Sequence, residues 1–270
     1  MGEGKAGVNF YVMDIIFRES VLQSNVKAQV SGLYAVPAYS GTQSLAGQYR
    51  LSRENARIMI KNIVFDMGKV LVDYDEDKCV NYYVEDEMDR YRVKTEMFIS
   101  PEWLMLDMGV LTEESAVLRI LKRLPERLHE AAKLCFKNWH LHCMEMVQEF
   151  VPLIHWLKEQ GFGVYLLSNA SVRLPRCYRD VIPAVDCFDG ILFSAEEKVM
   201  KPQRQIYERL FEKFNLNPAE CYFVDDLQLN IDGAKACGMD GYCFADRDVE
   251  KLKLKLSEFA AKLRVTQLAD

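Results

Sequence analysis

The chain has 270 residues, half of them apolar, with a formal net charge of −6 and a pI near 5.4. That length allows a well-buried core, while the acidic balance argues against nucleic acid or an acidic membrane surface as a partner. No run approaches the roughly 18 uninterrupted apolar residues of a membrane span. The early run VNFYVMDIIF is broken by Asp14 and lacks the basic flank of a signal peptide, so a cytoplasmic location is expected.

Residues 1–58 mix Gly, Ser, Ala, Gln and Val without sustained periodicity, and SGLYAVPAYSGTQSLAGQ reads as loop or unstructured chain. GEGKAG at 2–7 has the form GxGxxG, but no strand precedes it and the helix and acidic residue of that motif are absent, so chance explains it. Met59 opens MIKNIVFD, a natural start for a domain that begins with a strand. Residues 1–58 are therefore expected to be a dispensable, poorly structured and non-native extension, with an upstream-start artefact as one origin.

Beyond residue 58, short β-rich apolar runs stand at 62–66 (NIVFD), 163–168 (GVYLLS), 189–193 (DGILF), 221–225 (CYFVD) and 241–244 (GYCF). Amphipathic stretches separate the later ones. In QRQIYERLFEKFN, residues Ile206, Tyr207, Leu210, Phe211 and Phe214 make one apolar stripe. Strands alternating with helices predict an α/β fold with a doubly wound, Rossmann-like parallel sheet.

The rhythm breaks once. Roughly a hundred residues separate the first two runs, and 76–150 reads as helical throughout. The pattern predicts an acidic helix near 82–97, one opening at Thr112 with Glu113 and Glu114 in its first turn, and one near 125–149. The expected organisation is a core of 59–75 and 151–270 with an inserted α-helical cap at 76–150. An insertion at the carboxyl end of a strand overhangs the site formed there, so a lid is its natural role.

Eight cysteines (79, 135, 143, 177, 187, 221, 237 and 243) form no CxxC pair, and several lie in apolar segments. Buried free thiols in a reducing cytoplasm explain them better than disulfides. His140, His142 and Cys143 in NWHLHCMEM are metal-capable, but no second ligand group stands at finger-like spacing. An ordinary helix surface is expected there.

Polar residues mark four strand ends. Asp66 closes the first run, and Ser168 and Asn169 close the second. Lys201 follows the third in KVMKPQRQIY, and Asp225 and Asp226 end FVDD. Alone, a strand-end aspartate is as often a helix cap and Lys-Pro a common turn. The specific signal is the order, each adjoining a separate strand at the edge where open α/β sheets place ligands.

In that order the chain resembles the haloacid dehalogenase superfamily of aspartyl-nucleophile hydrolases, over about residues 60–250. Within it, the chain is similar to bacterial α-D-glucose-1-phosphate phosphatase-like proteins. Those also carry a glycine for the second motif-one aspartate and a DD…NI…GA fourth motif, here Asp225, Asp226, Asn230, Ile231, Gly233 and Ala234. The resemblance implies a Mg²⁺-dependent phosphatase acting on a small phosphorylated metabolite, such as a hexose 1-phosphate. Asp66 would be the nucleophile, forming an aspartyl-phosphate that water hydrolyses. A carboxylate oxygen of Asp66, the backbone carbonyl of Gly68 and Asp226 would hold Mg²⁺. The Ser168 hydroxyl and the Asn169 backbone N–H would bind the phosphoryl group, and Lys201 would neutralise it and Asp66. Asp225 and Asn230 would orient the metal site and its loop.

Gly68 and Val70 depart from the superfamily's DxDxT pattern. The missing side chain is the general acid, typically worth ~10²–10⁴-fold, and an anomeric leaving group depends less on it. Asp73 or Asp75 is either a substitute proton donor or a loop residue. Trp103 and Asp107 either face the substrate or pack the cap, and Arg127, Lys133 and Lys137 are expected on a solvated face. Two other readings compete. One is a metal-independent 2-haloacid dehalogenase using Asp66 on carbon, against which Asp226 speaks. The other is a degenerate member that binds a ligand or a protein, supported only by Gly68 and Val70.

Overall fold

The computed structural model describes residues 59–267, and the expectations for residues 1–58 lie outside the described residues. Among the described residues, seven strands occur in chain order: β1 Asn62–Phe65, β2 Val72–Tyr74, β3 Met144–Met146, β4 Gly163–Ser168, β5 Gly190–Phe193, β6 Cys221–Asp225 and β7 Asp240–Cys243. Five of them form one parallel sheet in the order β5-β4-β1-β6-β7. The α/β expectation holds.

The alternation of β1 explains why the sheet is covered on both faces. Ile63 and Phe65 point into one apolar layer and Val64 into the other, all fully buried. The first layer is completed by the helices Phe150–Glu159 and Val249–Gln267, through Leu153, Ile154, Leu157, Leu252 and Leu256. The second is completed by the helices Arg204–Phe214 and Gln228–Ala236, through Ile206, Tyr207, Leu210, Ile231 and Ala234. Burial on two faces is why β1, β4 and β6 read as near-continuous apolar runs. Each such aliphatic side chain contributes about 1.5–3 kcal/mol. Phe65 lies opposite both Leu166 and Val224, so the carboxyl ends of β1, β4 and β6 share one edge.

Between β2 and β3 run five helices: Glu76–Tyr83, Glu87–Phe98, Pro101–Asp107, Glu113–Leu121 and His129–His142. β2 and β3 pair antiparallel, Val72 opposite Met146, so the chain leaves for the helices and returns through a two-stranded ribbon. Three expectations need correction. The acidic helix starts at Glu87, because Asp86 caps it by accepting from the Asp89 N–H; Glu76–Tyr83 is a separate helix capped by Asp75. The helix Pro101–Asp107 was not expected; Ser100 caps it with Pro101 at its first position. The helix placed near 125–149 ends at His142, because Met144–Met146 is taken by β2.

Aromatic side chains knit the inserted helices together, and their buried residues continue the apolar layer that holds Ile63 and Phe65. Trp103 packs 4.7 Å from Phe98 and 5.2 Å from Trp139, ring centre to ring centre, and this accounts for Trp103 by packing. All eight cysteines are free thiols. Gly109 has φ +66°, and a Cβ there would stand 1.9 Å from the Ala195 carbonyl oxygen, so only glycine lets this loop meet the end of β5. Among the described residues no helix is long and apolar enough to cross a membrane.

Candidate active site

The Asp66 N–H donates to the Val224 carbonyl at 2.8 Å, which extends the sheet register one residue past β1. The chain then reverses around the Met67 carbonyl, which accepts from the amides of Val70, Leu71 and Val72. Lys69 supplies the left-handed conformation of that turn, with φ 59°. Met67, Val70, Leu71 and Val72 are buried and anchor the loop. The Met67 N–H donates to Asp66 Oδ1 at 2.7 Å. At Gly68, an added Cβ would meet no atom within 4 Å.

Lys201, 1% exposed, brings its ammonium 2.8 Å from Asp66 Oδ1 and 2.7 Å from Asp225 Oδ2. Its Nζ also lies 5.3 Å from the centre of the Phe223 ring. Its backbone is splinted by Asn169: the Lys201 N–H donates to Asn169 Oδ1 at 2.8 Å, and Asn169 Nδ2 donates to the Lys201 carbonyl at 2.9 Å. The sequence reading gave Asn169 only a backbone role and missed this splint. Gly233 lies where a Cβ would stand 2.9 Å from the Pro202 carbonyl oxygen, so the helix Gln228–Ala236 presses directly on the Lys201–Pro202 segment.

Asp225 is fully engaged. Its Oδ1 accepts from the Leu227 N–H and from Asn230 Nδ2, both at 2.9 Å. Its Oδ2 accepts from Lys201 and again from Asn230 Nδ2. Asp226 is half-buried beside it. Ser168 is buried, and its hydroxyl makes only a long 3.5 Å reach to the Asn169 carbonyl.

Asp66, Asp225 and Asp226 offer carboxylate oxygens within 4.8 Å of one another, the cluster among the described residues that could hold a metal. Three carboxylates share the buried Lys201 ammonium, with Lys69 adding a weaker pull on Asp226. Burial, against the pull of Lys201 and with the help of Asp225, pushes the Asp66 carboxyl up to about 7. Asp226 is also raised, by burial and then by Asp225. Burial opposes the Lys201 charge, but Asp225 and Asp66 outweigh it and hold its pKa above the ordinary lysine value. An all-oxygen donor set with surplus negative charge fits a hard dication.

Most of the other candidates are engaged away from these carboxylates, whereas Asp107 joins the loop after β4 through Ser194. Asp73 pairs with Arg247, and Asp75 accepts from the Asp77 N–H as a helix cap, so both have structural work. Arg127 grips Asp89 with two nitrogens and Lys133 pairs with Glu130, as a solvated face predicts. Lys137 lends its carbonyl to Arg173. His142 meets the Tyr83 hydroxyl at 3.2 Å, His140 faces Arg173, and Cys143 is buried. Burial pushes the Asp107 carboxyl up to about 7, while its backbone carbonyl accepts from Ser194.

Residues 60–238 match the haloacid dehalogenase-like hydrolase family. The D-ribitol-5-phosphate phosphatase of Bacteroides thetaiotaomicron is 26% identical over 197 residues, which cover 68% of this chain and 91% of that protein. A sesquiterpene phosphatase of Aspergillus oryzae is 34% identical over 104 residues, 38% of this chain and 53% of that protein, so the match spans about half of its length. In fold, the chain is similar to a haloacid dehalogenase family enzyme of Bacteroides thetaiotaomicron solved with magnesium and inorganic phosphate. The TM-score is 0.55 at 21% identity, covering 68% of this chain and 93% of that one.

Proposed function

The chain belongs to the haloacid dehalogenase-like hydrolases, and from that membership we propose that it is a Mg²⁺-dependent phosphatase with Asp66 as its nucleophile. The observation that carries this reading is the Lys201 ammonium held between Asp66 and Asp225, with Asp226 and Ser168 brought to the same sheet edge. The phosphatase names of the two relatives support phosphoryl transfer, and the magnesium and phosphate of the solved Bacteroides enzyme support the metal.

The residues divide the work. The Met67 N–H and Lys201 fix Asp66 Oδ1 and hold the carboxylate for in-line attack on phosphorus. The Ser168 hydroxyl and the Asn169 N–H donate to phosphoryl oxygens, and Lys201 neutralises the charge that remains. Asp66, the Gly68 carbonyl and Asp226 would hold Mg²⁺, which when bound offsets the repulsion between a carboxylate and a phosphate dianion. Asp225 takes no metal role, because Lys201, Asn230 and Leu227 occupy its oxygens. With no side chain at position 68 to protonate the leaving group, the substrate is a small phosphorylated metabolite whose leaving group departs readily. A sugar 1-phosphate meets that description. Free thiols at all eight cysteines support a reducing, cytoplasmic setting.

Three measurements test this. Phosphate release from acetyl phosphate, glucose 1-phosphate and ribitol 5-phosphate is expected with Mg²⁺ and should fall at least about 100-fold in EDTA. 2-Chloropropionate should yield no chloride; chloride release indifferent to EDTA would make the protein a dehalogenase. Mg²⁺ should also raise the thermal midpoint, and more at pH 8 than at pH 5. Asp66 is raised in the fold, so the metal-free protein loses stability as pH climbs from the ordinary carboxylate range through about 7. A bound dication reverses that loss.

A further inference from the structure

We propose that Arg173 is a positioning residue that ties the inserted helices to the loop carrying Ser168 and Asn169, so that the cap and the phosphate-binding loop move as one unit. The inference rests on the phosphatase reading of that loop.

Arg173 lies on the segment that continues directly from Ser168 and Asn169 at the end of β4. Its side chain, 15% exposed, runs into the inserted helices. Nε donates to Glu113 Oε1 at 2.7 Å, in the first turn of Glu113–Leu121. Nη1 donates to the carbonyls of Phe136 and Lys137 at 2.9 and 2.6 Å, and meets His140 Nδ1 at 3.3 Å, all in His129–His142. The guanidinium carbon also lies 5.6 Å from the Phe136 ring centre and 5.8 Å from that of Trp139. One core side chain thus grips two inserted helices.

A second tie lies nearer Ser168. Ser194 Oγ accepts the Ala170 N–H at 2.9 Å and donates to the Asp107 carbonyl at 2.5 Å, the last residue of Pro101–Asp107. The segment from Ala170 to Arg173 is therefore fastened to the insertion at both ends. Asn169, just before it, splints Lys201, whose ammonium holds Asp66. A displacement of the inserted helices reaches the nucleophile along this path.

The residue type fits the task. A half-buried, charge-assisted pair with a planar fork is worth more than a solvated surface pair. A lysine offers one point charge and cannot span acceptors on two helices while lying over two rings. Nε and Nη1 of Arg173 are both engaged by groups of the inserted helices, which places it to act through the loop.

The test compares wild type with Arg173→Lys and Arg173→Gln, and with Glu113→Gln, which removes one partner and leaves the arginine in place. Amide hydrogen exchange in 113–121 and 129–142, and steady-state kinetics on acetyl phosphate and a hexose phosphate, are read well below each unfolding midpoint. The expected result is exchange about tenfold faster in both helices. kcat should fall about 10- to 100-fold, as a misplacement of about 1 Å produces, with KM changed less. Arg173→Lys should be intermediate, and Glu113→Gln should shift both readouts in the same direction by less. A lowered midpoint with unchanged kcat would make Arg173 merely structural and overturn the proposal, as would unchanged exchange in both helices. If wild type releases no phosphate, the phosphatase reading falls by itself, and the exchange data still decide whether Arg173 is the tie.

Discussion

Lys201→Met is expected to remove almost all turnover and to lower stability by about 3–5 kcal/mol, the usual cost of stripping one partner from a buried charge pair. Methionine keeps most of the stem volume beside Phe223, so the loss comes from charge and not from a cavity. What remains is Asp66 and Asp225 without their cation, and Asp226 within 4.8 Å. For a domain of this size the midpoint should drop by roughly 6–20 °C. The pH dependence has a definite sign. In wild type, Lys201 is raised above its ordinary value, so its stabilisation is present at neutral pH and fades only at alkaline pH. In the variant, Asp66 and Asp226 lose the opposing charge of Lys201 and rise further, so the deficit is small near pH 4 and large at pH 8. Thermal melts at both values check this, and phosphate release should be lower by about 10²–10³-fold. Equal midpoints at pH 8 would contradict the role given to the ammonium.

Gly68→Asp is expected to gain activity. A Cβ at this position meets nothing within 4 Å, and the residue is not among the glycines with positive φ, so an aspartate enters without strain. In the proposed mechanism it would add a carboxyl able to protonate the leaving group, and general acid catalysis typically supplies ~10²–10⁴-fold. The gain should be confined to poor leaving groups. kcat measured across esters of increasing leaving-group pKa should fall steeply in wild type and weakly in Gly68→Asp, with little change on acetyl phosphate. The extra charge should lower the metal-free midpoint, and Mg²⁺ should recover it. Identical slopes in the two proteins would mean that leaving-group protonation does not limit this enzyme.

The parts of the molecule that were legible in the sequence are those with a local signature. β1, β4 and β6 are buried on both faces, so each appears as an apolar run, and each run stops at a polar residue of the site. The Thr112 cap with its acidic first turn was equally local. The SPEW stretch carried a cap and a first-turn proline that announce the helix Pro101–Asp107, and that signal went unused. The ribbon of β2 and β3 had no such signal. Three residues are too few to show a period, and the partners lie about seventy positions apart. The Asn169 splint and the Arg173 tie were hidden for a related reason. Both are long-range contacts between a side chain and a distant backbone, and the same residue types in SNASVRLP serve equally well on a surface. Periodicity records which residues are buried and says little about which distant groups they meet.

The most direct measurement is phosphate release by wild type and Asp66→Asn, at matched concentrations of folded protein, with Mg²⁺ and the same ester. Asparagine preserves the shape of residue 66 and removes the carboxylate proposed as the nucleophile. Phosphate release should fall at least about 10³-fold. A variant that works within tenfold of wild type would contradict it, because the phosphoryl group would then not be passing through Asp66.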